Sequence, residues 1–214
     1  MLRSRLTPLL LLTALSTLGN AQVTKKGGGY LLRAHYSKGL SISLASTNTV
    51  KGQGDGGKDL KVGIPISMKV LSVQNGLARV QIQLGVGKIG GQQISPAQSA
   101  VVELNDRNQG KVSATAANVV APLPLKPVKI GQTWTQETPI STSVDPDGKM
   151  KVTYKFVGPH TVDGIPTVRL DYAIKGMAGG TGVMELRVSD GLLQSNVVTI
   201  NLSGITMISS MKRK

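Results

Sequence analysis

Apolar and polar side chains alternate with a period of two through most of this chain, and that period predicts strands. Ala78, Val80, Ile82 and Leu84 alternate with Arg79, Gln81 and Gln83, and Met150, Val152, Tyr154 and Phe156 with Lys151, Thr153 and Lys155. The pattern recurs over residues 32–36, 40–44, 168–174, 184–188 and 198–202. Successive strand side chains point to opposite faces, so each segment has one apolar and one wet face. Strands wet on one side belong to antiparallel sheets. Asn75-Gly76, Asp163-Gly164 and Asp190-Gly191 each separate two such runs, and these pairs tolerate the positive φ angles of tight hairpins. Ser37-Lys38-Gly39 reads as the turn joining the first two runs, and Asp145-Pro146-Asp147-Gly148 as the lead into the strand at Met150.

Helix signals are few. Ser95 is placed to cap a short helix begun by Pro96, whose fixed φ suits a first turn. The alanine-rich residues 112–120 are a second candidate. The expected fold is therefore mainly β: a curved antiparallel sheet, an open barrel or sandwich, with at most one or two short helices. Residues 121–127 hold three prolines and cannot pair inside a sheet, so they read as an extended connector. The flanking halves, about 30–120 and 128–211, share apolar offsets after Gly76 and Gly164, and Lys69 corresponds to Lys155. Residues 22–214 are expected to form one β-rich domain, built from two related halves.

The first 21 residues stand outside that pattern. Arg3 and Arg5 are followed by an uncharged, leucine-rich run to Leu18, and then by Gly19-Asn20-Ala21. This order is that of a cleaved secretion signal, cut between Ala21 and Gln22. The run is shorter than the roughly twenty apolar residues a membrane span needs, so an integral membrane protein is not expected. There is no cysteine, hence no disulfide, no thiolate metal site and no thiol for a lipid anchor. The expected address is the periplasm or the exterior.

Formal charge is +14, and loss of Arg3 and Arg5 with the signal lowers it by two. Such a balance favours anionic neighbours, here a lipid or another anionic component of the envelope. Lys151, Lys155 and the closing Lys212-Arg213-Lys214 are the candidate contacts, although a terminal basic cluster is commonly a frayed tail. Export argues against nucleic acid, and so does an aromatic content of 3%, because single strands bind by stacking on rings. The same scarcity argues against a transmembrane β-barrel, which needs aromatic girdles.

Catalytic constellations are thin. His35 and His160 stand in no metal-ligand spacing, and no Gly-x-Ser-x-Gly elbow occurs. Asp163 and Asp190 are accounted for by turns, and Asp171 and Glu185 by wet strand faces beside Arg169 and Arg187. The glycine-rich residues 52–58 lack the following helix a phosphate cradle requires, and residues 145–148 lack most ligands of a calcium loop. No cofactor, metal site or catalytic residue is expected.

The most distinctive segment runs from Pro124 to Trp134, where Pro127, Gly131 and the single tryptophan are candidate structural positions. A buried indole contributes a large area, so Trp134 reads as an anchor for the second half. The Pro-x-Lys-Pro-Val-Lys-x-Gly-x-x-Trp pattern, followed by Tyr154-Lys155-Phe156 and Asp163-Gly164, resembles a family of exported bacterial proteins of unknown function. The resemblance covers mainly residues 122–202. It implies the β fold and export, and no catalytic residues; where that family commonly has an acid, this chain has Gln132. The sheet-rich outline is also similar to that of periplasmic lipoprotein carriers, as a fold-level analogy. Two functions follow from an apolar sheet face. A trough left open would hold a lipid or other amphiphile, whereas a tightly filled one belongs to a structural or adaptor protein of the envelope. An unrecognised hydrolase is the third reading.

Overall fold

The computed structural model describes residues 22–89, 92–111, 121–139, 149–176, 179–202 and 204–214. A two-stranded hairpin comes first, β1 (Val23–Lys26) with β2 (Gly29–Leu32). The long strands β3 (Ser41–Val50), β4 (Leu60–Gln74) and β5 (Leu77–Leu84) follow as a meander. Next come the short β6 (Gly87–Ile89) and β7 (Gln92–Ser95), then β8 (Gln98–Leu104) and β9 (Gly110–Lys111). The second half contributes β10 (Thr133–Pro139), β11 (Lys149–Val162), β12 (Ile165–Lys175), β13 (Gly179–Arg187), β14 (Leu193–Leu202) and β15 (Ile205–Arg213).

Thirteen of these strands form one antiparallel sheet with the path β10-β11-β12-β13-β14-β15-β3-β4-β5-β8-β9, and β6 and β7 attach beside β4. The chain is thus mainly β, as the alternation predicts, and the sheet is not closed. The last strand joins the halves: β15 pairs with both β14 and β3. The terminal basic residues are therefore ordered in the sheet, not frayed; the Lys214 amide donates to the Ser43 carbonyl at 3.0 Å.

Alternation fixes which face is inside. Ile42 and Leu44, Met68 and Val70, Val80 and Ile82, Tyr154 and Phe156, and Leu170 and Leu186 are all buried on one face. Removing each such side chain from water contributes about 1.5–3 kcal/mol. Two turns have the residues and φ angles of tight hairpins: Asn75 (50°) with Gly76 (75°), and Asp163 (50°) with Gly164 (77°).

Residues 52–58 close the β3–β4 hairpin with one short 3-10 turn, Asp55–Gly57, and lead into a strand. Lys51 Nζ donates to Asp59 Oδ2 at 2.7 Å. That hydrogen bond, with a second from the Gly52 amide, holds the exposed Asp59 carboxyl below its ordinary range.

Two expectations need correction. No helix follows Ser95: it ends β7, and β8 begins at Gln98, because residues 98–104 find a ladder partner in β5. Residues 33–36 alternate like a strand, with Ala34 and Tyr36 buried and His35 exposed, yet they join no ladder. The candidate helix at 112–120, the turn at 145–148 and the cleavage residue Ala21 lie outside the described residues.

Candidate functional site

The apolar face of the sheet is covered by the chain itself. Residues 32–36 form a strap across it: the Ala34 amide donates to the Asp106 carbonyl at 2.7 Å and the His35 amide to the Asp190 carbonyl at 2.8 Å. Asp106 lies between β8 and β9 and Asp190 between β13 and β14, so the strap ties one arm of the sheet to the other. The connector lies beside it. Arg33 donates through Nη1 to the Pro124 carbonyl (2.9 Å) and through Nη2 to that of Leu125 (2.8 Å), while its Nε pairs with Asp106 Oδ2 (3.1 Å). Tyr30 and Val128 exchange two backbone hydrogen bonds. Ala121, Leu123 and Val128 are buried in the same core as Leu32, Ala34 and Tyr36.

The Tyr36 hydroxyl donates to Asn108 Oδ1 (2.7 Å), and Asn108 Nδ2 donates to the Ala121 carbonyl (2.9 Å). The void between Tyr36, Ile42, Leu44, Met68, Met184 and Leu186 measures about 10 Å³, at the limit of what one water needs. At this point the face is a packed core.

One row across the second half carries the rings. Trp134, Tyr154, Tyr172, Gly182 and Val198 are successive register partners. Trp134 stacks on Tyr154 with centroids 5.4 Å apart, and Tyr154 lies 5.7 Å from Tyr172. A Cβ on Gly182 would come within 2.3 Å of the Tyr172 ring, so the glycine makes room for it. The Tyr172 hydroxyl donates to Asn196 Oδ1 at 2.8 Å. Burial pushes this hydroxyl up to about 12 despite that bond, and burial also raises Tyr36 and Tyr154.

Trp134 is half-buried, and its Nε1 donates to the Pro122 carbonyl at 3.3 Å. The ring thus clamps the connector against the edge strand β10. Trp134→Ala is expected to cost about 2–3 kcal/mol, less than a fully buried aromatic because one side of the ring is wet. Thermal unfolding checks this, and an unchanged midpoint would refute the clamp.

Of the other motif positions, Pro127 is half-buried before Val128. Gly131 makes the turn into β10 with φ +85°, and its amide donates to the Phe156 carbonyl at 2.8 Å. Gln132 Oε1 accepts from the Lys129 amide at 3.0 Å. A carboxylate oxygen could accept the same bond, so an amide at this position keeps the turn without the charge.

The opposite face carries an open groove of about 560 Å³ across β11–β14. Ala173, Thr181, Val183, Val197 and Thr199 line it, with Lys155, Arg169 and Asp171 among its charged residues. Arg169 Nε is bound to Asp171 Oδ1 at 2.9 Å. Lys151 pairs in register with Lys175 and also with Glu137. Lys155 and Lys151 are exposed on this face. Lys212 is tied to Asp163 at 2.7 Å, and Arg213 to Asp190 at 2.9 Å with its side chain only 12% exposed. Lys214 is exposed. Lys155 thus lines the groove and Lys151 lies four residues away on the same strand, while Arg213 is engaged in holding a turn.

Glu185 corrects the sequence reading. It falls on the wet phase of β13 yet is buried, accepting from Thr167 Oγ1 at Oε2 (2.8 Å) and pairing with His160 Nδ1 at Oε1 (3.0 Å). The tip of the β11–β12 hairpin reaches back as far as β15, where Asp163 meets Lys212, and so covers this carboxylate. A strand-by-strand reading has no signal for that curl. Among the described residues no group of three or more His, Cys, Asp or Glu is placed to hold a metal.

No family model matches the chain, and no curated protein matches it. Among solved structures it is similar to a Bacteroides fragilis protein described as exported and of YmcC-like fold. The two are 11% identical, over 85% of this chain and 99% of that one, with a TM-score of 0.38. It is also similar to a DUF1329 family protein from Desulfovibrio piger, 12% identical over 81% and 84% of the two chains, with a TM-score of 0.24. Among the described residues no helix is long and apolar enough to cross a membrane.

Proposed function

We propose that this chain is exported and acts without catalysis, as a structural or adaptor protein of the cell envelope that meets its partner on its surface. The observation that carries this reading is the covering of the apolar face by residues 32–36 and 121–128. An adaptor needs a rigid body, and a strap bonded to both arms of the sheet supplies one. Export rests on the opening 21 residues, with Arg3, Arg5 and the leucine-rich run ahead of Gly19-Asn20-Ala21.

An amphiphile carrier is the second reading, and the outer groove favours it. Its floor includes Val183 and Val197, and Lys155 and Arg169 lie at the same groove. An acyl chain with an anionic head has complementary chemistry.

Protein from the native host, purified without detergent, tests both readings by intact mass, organic extraction and titration with a fluorescent fatty acid. We expect a species beginning at Gln22, no stoichiometric lipid and no saturable binding. A species beginning at Met1 would overturn export. Saturable binding abolished by Val197→Asp would overturn the adaptor reading in favour of the carrier.

A further inference from the structure

The connector has a feature that packing does not explain. Leu125 and Ile130 are 64% and 62% exposed, the most exposed large aliphatic side chains among the described residues. Both sit in the Pro124–Trp134 motif, beside the exposed Lys126 and Lys129. Backbone bonds between Tyr30 and Val128 lay this segment against the β1–β2 hairpin, whose exposed end carries Lys25 and Lys26.

The two segments, residues 22–32 and 121–132, contain no Asp or Glu. Among the described residues none of the four lysines makes an ion pair; Lys25 Nζ lies 5.9 Å from the Tyr30 ring centroid. Asp106, the acid that meets the strap, is bound to Arg33 at 3.1 Å. Two exposed aliphatic side chains and four lysines without an ion pair therefore lie on two neighbouring segments that Tyr30, Val128 and Arg33 hold together.

We infer that this face docks on an anionic lipid bilayer, with Leu125 and Ile130 entering the interface and Lys25, Lys26, Lys126 and Lys129 meeting head groups. Charge complementarity selects an anionic partner, and the aliphatic pair selects a bilayer over an acidic polysaccharide. Leu and Ile gain by leaving water for acyl chains and gain nothing against a hydrated sugar chain. Such attachment is peripheral and reversible. The inference leans on export only for access to a bilayer; the surface itself can be tested in vitro, where its failure is separate from any failure of the export reading.

The test is co-sedimentation of the exported chain with vesicles of phosphatidylcholine containing roughly one-third phosphatidylglycerol, against pure phosphatidylcholine. Binding is expected to the anionic vesicles, weakening severalfold as salt rises from about 0.1 M to about 0.5 M. Leu125→Ser with Ile130→Ser should weaken it about tenfold or more. Each lysine changed to glutamine should weaken it about fivefold. The serine pair is expected to keep the fold, because both side chains are largely exposed, Ile130 rests on the Gly158 bulge and Arg33 uses only the Leu125 carbonyl; an unchanged thermal midpoint verifies this. Leu77→Ser with Ile94→Ser, exposed elsewhere, should leave binding unchanged. No vesicle binding, equal loss from both serine pairs, or binding to heparin but not to vesicles would each overturn the proposal.

Discussion

Gly191→Ala should destabilise the protein by about 4 kcal/mol, lowering its melting temperature by roughly 8–16 °C. Two effects add. Gly191 has φ +66°, where a side chain costs about 1–2 kcal/mol. A Cβ there would also lie 1.8 Å from the Arg33 carbonyl oxygen, so the strap would have to leave the turn. Displacing it breaks the bond from the His35 amide to Asp190 and loosens the buried Leu32, Ala34 and Tyr36. Gly28→Ala separates the two effects, since its φ is +75° and nothing lies within 4 Å of the added carbon. That variant should lose only about 1–2 kcal/mol. Calorimetry of the pair decides: equal shifts would mean that the strap is not docked on the β13–β14 turn.

The second large effect is alkaline. Tyr36, Tyr154 and Tyr172 are buried, and burial raises all three hydroxyls above the ordinary value of 10.0, Tyr172 to about 12. A raised folded-state value means that the unfolded chain ionises first. The stabilisation is complete below about pH 10 and is lost as pH climbs through the folded-state values. For Tyr172 the loss approaches about 2–3 kcal/mol, and the other two add to it. Urea unfolding from about pH 8 to about pH 12 should show stability constant at first and then falling steeply, together with the rise of tyrosinate absorbance. Tyr172→Phe should cost about 1 kcal/mol at neutral pH, for the lost bond to Asn196, and should flatten the alkaline decline. A decline that Tyr172→Phe leaves unchanged would show that this hydroxyl is not buried.

Strand identity was legible because it is local. Ala78 to Leu84 and Val168 to Ile174 declare their inner and outer faces through a period of two, and Asn75-Gly76 and Asp163-Gly164 declare their hairpins through φ. The resulting antiparallel, mainly β chain was readable from those segments alone. Ser95-Pro96 misled because a capping signal is weaker than seven residues of ladder pairing between β8 and β5.

Three features depended on contacts distant in sequence. Residues 33–36 have the period of a strand, but Asp106 and Asp190 make them a strap. Glu185 has the phase of a wet residue, but the far end of the β11–β12 hairpin covers it with Thr167 and His160. The proline segment has the look of a linker, but Leu123 and Val128 fill the core while Leu125 and Ile130 are left outside. The sequence by itself determined the strand character and the apolar side of the regularly alternating runs, such as Ala78 to Leu84 and Val168 to Ile174, because neighbouring side chains and backbone torsions decide both there. Only the tertiary structure decided what covers that apolar side, because core, trough and docking surface are built from the same aliphatic residues and differ only in what lies against them.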